Sequence, residues 1–186
     1  MRRCADEEKK EKAEMKPIPS SPHVLIAPAQ ESDFPDIQQI YAPYVLNTTV
    51  SLEEIPPNVE EMKSRWRHSL DKGLPYLVAR INDHVVGYAY AFPYRARAAY
   101  RFTVEESVYV ADGFQGNGIG RRLLEALIAI CREKGYKQMI AVIGDTHNAA
   151  SVKFHESLGF MCAGMLQGVG FKFGRWTDSV LMQKAL

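Results

Sequence analysis

The stretch Gln115-Gly116-Asn117-Gly118-Ile119-Gly120 constrains this chain more than any other, because it lies between a strand-like run and the helix pattern of Arg121 to Lys134. Closely spaced glycines let the backbone take positive φ and approach a ligand, since no Cβ stands in the way. A helix that opens at such a loop presents unpaired N–H groups and the positive end of its dipole. Together these hold an anion such as a diphosphate without a dedicated cation. Arg121 and Arg122 add charge. An ordinary glycine-rich connection has the same composition, so the loop alone leaves both readings open. Two other phosphate loops are excluded. A P-loop needs Gly-Lys followed by Ser or Thr, and here Gly120 precedes Arg121 and Arg122. The dinucleotide fingerprint fails at its sixth position, which is Arg121.

Around this loop the hydrophobic pattern alternates between strand and helix periods. Val24 to Ala27 reads as a short strand, and Ser32 or Asp33 as the cap of a helix carrying Ile37, Ile40, Tyr41, Tyr44 and Val45. Pro43 is expected to kink or end that helix. Asn58-Val59-Glu60-Glu61 resembles a capping box, after which Val59, Met62, Trp66 and Leu70 line one face up to Gly73. Pro75 to Ile81 and Val85 to Phe92 predict a hairpin turning at Asn82-Asp83. In the next run, Val104, Glu106, Val108 and Val110 share one face, while Glu105, Ser107 and Tyr109 share the other. The helix after the glycine loop has a stripe of Ile119, Leu123, Leu124, Leu127, Ile128 and Cys131, with Gly135 as its cap. Met139 to Ile143 is a buried strand, and Asn148 to Leu158 a short helix stopped by Gly159. Runs at Phe160 to Val169 and Asp178 to Met182, joined through Phe171 to Arg175, complete the order β-α-α-β-β-β-α-β-α-β-β. That order predicts an α/β (layered α+β) fold, a mixed twisted sheet flanked by helices.

Composition removes several classes of function. Apolar residues make up 46% and charged residues 24%, as in globular domains, and the net charge of +1 lacks the concentrated basic face that nucleic acid requires. Cys4, Cys131 and Cys162 form no C-x-x-C pair, and their odd number fits a reducing compartment, so a cytoplasmic location is expected. Residues 1–22 read as a charged, solvated arm without the apolar core of a secretory signal, and residues 23–186 as one domain. No run approaches a membrane span. His155-Glu156 lacks the second histidine of a zinc helix, and no G-x-S-x-G elbow exists, so neither a metal site nor a serine hydrolase is expected.

The loop resembles the Gln/Arg-x-x-Gly-x-Gly/Ala signature of the GNAT N-acetyltransferase superfamily, and the element order is that of the GNAT fold. Within it the chain is similar to the phosphinothricin and methionine sulfoximine acetyltransferases. The residues carrying this likeness are Ala96 to Tyr100, Thr103 to Val110, Ala141 to Gly144, His155-Glu156-Ser157-Leu158-Gly159-Phe160 and Gly170 to Asp178. The resemblance implies acetyl-coenzyme A as co-substrate and the α-amine of a small amino-acid-like compound as acceptor. It implies Glu105 as general base, although spacing alone would equally allow a solvent-facing carboxylate beside Glu106. It implies backbone donors near Val110 for the developing oxyanion, and His155 as proton donor where many relatives carry tyrosine; a packed helix histidine is the competing reading. Coenzyme contacts are implied for Val108, Tyr109, Val110, Gln115, Gly116, Asn117, Gly118, Ile119, Gly120, Arg121, Asn148 and Ser151, with Asn148 also a natural N-cap. Arg97 is expected to clamp an acceptor carboxylate, with Tyr100 lining the same pocket.

Departures from the pattern leave the acceptor open. Asp145-Thr146-His147-Asn148 replaces the Leu-Pro-Asn run of dedicated phosphinothricin enzymes, and Leu52 replaces a frequent phenylalanine. Methionine sulfoximine, methionine sulfone and phosphinothricin are the expected substrates. A protein or peptide amine acetyltransferase and a non-catalytic acetyl-coenzyme A sensor are the alternatives. The resemblance also implies a homodimer.

Overall fold

A computed structural model describes residues 23–145 and 148–186; the charged arm at 1–22 and the pair Thr146-His147 lie outside the described residues. Seven strands form one sheet in the order β1-β2-β3-β4-β5-β7-β6. They are β1 (Leu25–Pro28), β2 (Tyr76–Ile81), β3 (His84–Pro93), β4 (Thr103–Val110), β5 (Gln138–Gly144), β6 (Met161–Lys172) and β7 (Arg175–Ala185). The helices are α1 (Phe34–Asn47), α2 (Val59–Asp71), α3 (Ile119–Glu133) and α4 (Ala149–Glu156). Every pairing is antiparallel except β4 with β5. The mixed sheet flanked by helices is the fold that the element order predicts.

Each face of the sheet has its own core. On one, the α3 stripe Ile119, Leu123, Leu124, Leu127, Ile128 and Cys131 is buried against Val104, Met139, Ala141 and Met182, with Val108 and Val110 packed beside it. Full burial of one such Leu or Ile side chain stabilises by about 1.5–3 kcal/mol. On the other, Phe34, Ile37, Ile40, Tyr41 and Val45 of α1 meet Tyr76, Val78 and Tyr88, with Tyr109 packed alongside. The alternation along β4 therefore sends its valines to α3 and Tyr109 to α1.

Several boundaries differ from the sequence expectation. Pro43 does not end α1, which runs on to Asn47. Pro43 and Gln39 are both exposed, so the carbonyl left without a helical donor lies on the solvent side. Neither Ser32 nor Asp33 caps α1 with its side chain: a 3-10 turn at Glu31–Asp33 precedes it, and the Asp33 carboxylate instead accepts from the Gln30 N–H (2.8 Å) and pairs with Arg80. Leu70 is exposed and Ser69 buried in its place. β6 and β7 are longer than the apolar runs suggest, because the turn needs only Phe173 (φ 52°) and Gly174 (φ 73°). The expected turn at Asn82 (φ 48°) and Asp83 (φ 67°) is present, as are the left-handed Gly135 and Gly159. Among the described residues no helix is long and apolar enough to cross a membrane.

Candidate active site

The sheet opens at its centre. β4 and β5 pair in parallel from Thr103–Gln138 to Glu106–Ala141 and no further, although β4 continues to Val110 and β5 to Gly144. The Ala111 N–H donates to the Val86 carbonyl at 2.9 Å, on the β3 side. Alternation in an antiparallel ladder then turns the N–H groups of Val108 and Val110 the other way, into the opening. The Val110 carbonyl is fixed there by the Tyr44 hydroxyl at 2.6 Å and by Gln115 Nε2 at 3.4 Å. The split thus offers rigid backbone donors with no strand to receive them.

The glycine loop borders the same opening. Gly116 (φ 77°) and Gly118 (φ 76°) are left-handed, and a Cβ at either would meet nothing, so conformation and not crowding demands glycine. The first helical bond runs from Arg122 N to Gly118 O at 3.1 Å, leaving the N–H groups of Ile119, Gly120 and Arg121 without a helical acceptor. Asn117 braces the loop through the carbonyls of Phe114 (3.3 Å) and Gln115 (3.2 Å). A cleft of about 620 Å³ runs over this loop, lined by Val108, Val110, Gln115, Gly116, Gly118, Ile119, Gly120, Arg121, Asn148 and Ser151. The N–H groups of its loop suit a diphosphate, and its walls run on to Val108 and Val110 of β4. The expected coenzyme residues Tyr109 and Asn117 do not line this cleft. Tyr109 borders the narrow split instead, its ring packed 5.2 Å from Tyr88 on the α1 side. Asn148 caps α4 by accepting from Ser151 N at 3.2 Å while lining the cleft. Tyr44, Val50, Phe114, Ala150 and Phe154 also line it. No periodic or motif signal distinguished them from core.

Glu105 and Glu106 point to opposite faces of β4. Glu105 is half-buried on the face of Ser107 and Tyr109, directly across from Phe92 of β3. Burial first, and the charge of Glu106 second, push its carboxyl above the ordinary range. Glu106 is buried on the valine face, with Oε1 2.8 Å from Nε2 of His155. The other ring nitrogen, Nδ1, is 2.7 Å from the Ser151 carbonyl. Burial alone pushes the imidazole down, but the bond to Glu106, the charge of Glu106 and the Ser151 carbonyl outweigh it, so the net shift is upward. Glu106 was missed as a site residue. The available signal was a carboxylate on an otherwise apolar strand face, which requires a buried partner.

Arg97 stands apart from this cleft. It is exposed at the start of a 3-10 turn, Ala98–Tyr100, and borders a separate basin with His68, Lys72, Phe92, Arg95, Tyr100 and Arg101. Among the described residues no carboxylate lines that basin, and Phe92 connects it to Glu105 across the strand pair. The 48–53 loop borders the cleft and the split through Val50. Lys172 Nζ donates to the carbonyls of Thr48 (2.9 Å) and Ser51 (2.6 Å), and Tyr41 holds Ser51 and Glu53. Among the described residues no group of His, Cys, Asp and Glu gathers as a metal site.

Residues 26–181 match the family described as the acetyltransferase (GNAT) domain. A phosphinothricin N-acetyltransferase of Alcaligenes faecalis is 52% identical over 84% of this chain and 80% of its own length. An L-methionine sulfoximine/L-methionine sulfone acetyltransferase of Pseudomonas paraeruginosa is 40% identical over 85% of this chain and 92% of its own. The crystal structure of a phosphinothricin acetyltransferase from Sinorhizobium meliloti in complex with acetyl-coenzyme A superposes with a TM-score of 0.84, at 41% identity over 88% of each chain. With the split sheet and the glycine loop in place, the chain belongs to the GNAT acetyltransferase family and is an acetyl-coenzyme A-dependent N-acetyltransferase.

Proposed function

We propose that the acceptor is the α-amine of a small amino-acid-like compound of the methionine sulfoximine, methionine sulfone or phosphinothricin type, and that transfer is direct. The observation that carries this is the division of β4 at its last paired residue: Glu105 faces one side of the sheet, and the coenzyme cleft opens at the end of the same strand. The loop N–H groups and those of Ile119, Gly120 and Arg121 would hold the coenzyme diphosphate, and the coenzyme supplies an acetyl thioester. An ammonium group is not a nucleophile, so Glu105 takes its proton, a role that its raised proton affinity favours. As the amine nitrogen bonds to the carbonyl carbon, negative charge collects on the oxygen, and the N–H groups of Val108 and Val110 are fixed donors aimed into that space. The C–S bond then breaks with its electron pair going to sulfur, for which His155 holds a proton, and the nitrogen gives up its second proton to solvent, leaving a neutral amide.

Arg97 clamps the acceptor carboxylate from beyond Phe92, where Lys72, Arg95 and Arg101 add positive field. The basic basin is the feature that favours an amino acid over a plain amine. A protein or peptide amine is the second reading, because the basin is open to solvent and Arg97 is exposed. A thiol-release assay with acetyl-coenzyme A separates them. Turnover is expected with methionine sulfoximine, methionine sulfone or phosphinothricin and not with a peptide. Arg97→Ala should raise KM about 10-fold or more for acceptors bearing a carboxylate, the loss of about 1.5–3 kcal/mol for a charge-assisted bond, and leave decarboxylated analogues unchanged. Equal effects on both would remove the clamp, and peptide turnover alone would replace the small-molecule reading.

A further inference from the structure

His155 has no free ring nitrogen. The Ser151 carbonyl can only accept, so Nδ1 carries a hydrogen. Nε2 faces Glu106 Oε1 at 2.8 Å, and both side chains are buried. A ring with its only hydrogen on Nδ1 would aim a lone pair at an ionised carboxylate. One more proton therefore sits between them, on the ring or on the carboxyl, and the two arrangements differ only by its transfer along that line. The rings of Phe154 and Phe160 meet the imidazole edge-on, with centroids at 5.0 and 5.2 Å, and keep bulk water off it.

Glu106 is also the last residue at which β4 still pairs with β5, so its backbone is held while the strand beyond it is open. Its second oxygen, Oε2, is buried with no hydrogen-bond partner among the described residues. An unsatisfied buried acceptor costs about 1–3 kcal/mol. The side chain borders the narrow part of the split, about 60 Å³ shared with Val108, Asn148 and Ser151, which are also walls of the coenzyme cleft. That space has room for roughly two waters.

We propose that Glu106 and His155 form one proton-holding unit at the apex of the split, in which Glu106 is the positioning residue that keeps His155 charged until the coenzyme sulfur departs. The proposal rests on the reading of His155 as the proton donor given above. When the C–S bond breaks, its electron pair goes to sulfur, and the shared proton moves to that sulfur through the split, giving a neutral thiol. Glu106 is then ionised beside a neutral ring whose lone pair faces it. The repulsion draws a proton back from solvent before the next turnover.

The other titratable groups near the pair do not reach the ring. Glu105 points to the opposite face, Tyr109 is kept neutral by burial first, and Asp145 at the end of β5 is held by Thr49 and Arg175. Lys153 and Glu156 on α4 are exposed, and His147 lies outside the described residues.

The test is Glu106→Gln in the full chain, read by NMR titration of the His155 ring and by the pH profile of kcat. The ring is expected to lose its proton at lower pH in the variant, and the alkaline limb of kcat to move down with it. At neutral pH kcat should fall about 100-fold, in the range for a lost proton donor, with coenzyme affinity changed less than about twofold. Glu106→Asp should restore part of the wild-type profile, and it carries the same readouts should the Gln variant fail to fold. An unmoved ring titration, or a moved titration with an unmoved kcat profile, would overturn the proposal. If His155→Gln leaves thiol release intact while Glu105→Gln abolishes it, the donor reading beneath the proposal fails, and the proposal with it.

Discussion

Glu105 and Glu106 follow each other on β4, yet one is half-buried across from Phe92 and the other meets a buried imidazole. The sequence alternation placed them on opposite faces correctly, but it ranked Glu105 by resemblance and left Glu106 as its neighbour, because the partner of Glu106 lies on α4 and is not visible from local spacing. The raised carboxyl of Glu105 has a cost that can be measured. Between the ordinary value of 4.5 and the raised one, the unfolded chain has already released a proton that the folded chain keeps. The folded state binds more protons in that window, so the contribution of this group to stability is full below 4.5 and falls as pH rises through the raised value. Glu105→Gln is therefore expected to melt higher than wild type at neutral pH, with the difference vanishing in acid, while turnover drops about 10²- to 10⁴-fold. Thermal denaturation at several pH values checks the first part and thiol release the second. A variant that melts lower than wild type at neutral pH would remove burial as the cause of the shift, and unchanged turnover would remove Glu105 as the base.

Elements with a clear period were legible, and those positioned by distant contacts were not. The α3 stripe from Ile119 to Cys131 is buried residue for residue, since a helical period admits only one inward face. The 48–53 loop carries no period at all. Its course is set by Lys172 on β6, by Tyr41 on α1, and by the end of β5, more than ninety positions away in sequence at Asp145, which accepts from Thr49 Oγ1 at 2.9 Å. Gly144 explains how the loop comes so close: a Cβ there would lie 2.2 Å from the Thr49 carbonyl oxygen. The obstacle is backbone and cannot rotate away. Gly144→Ala must therefore push the loop outward, and Val50 with it from the wall of the cleft. We expect a loss of about 1–3 kcal/mol, as for an overpacked core, and a rise in KM for acetyl-coenzyme A. Denaturant titration and initial rates measure both; wild-type stability with wild-type KM would mean that the loop does not depend on this approach.

At the scale of the whole molecule, the order of strands and helices could be read from sequence, but the opening between β4 and β5 could not, because pairing ends there through the divergence of two backbones and not through any residue that forbids it. That divergence bears on the proposed kinetics. Glu105 lies on the α1 side of β4, His155 on the α3 side, and the opening passes between them, so in the proposed reaction acceptor and coenzyme would reach the same carbonyl carbon from opposite faces. Neither of the described cysteines is placed to take the acetyl group in between. Cys131 is buried on the inner face of α3 with its thiol pushed up to about 12 by burial, and Cys162 is exposed on β6 and lines neither the cleft nor the split. An activated cysteine needs the opposite shift. Initial rates with both substrates varied should give intersecting lines, as a ternary complex requires, and Cys162→Ala should keep wild-type turnover. Protein quenched in acid after mixing with labelled acetyl-coenzyme A, without acceptor, should carry no label. Parallel lines together with retained label would instead require a covalent acetyl-protein and would overturn direct transfer across the split.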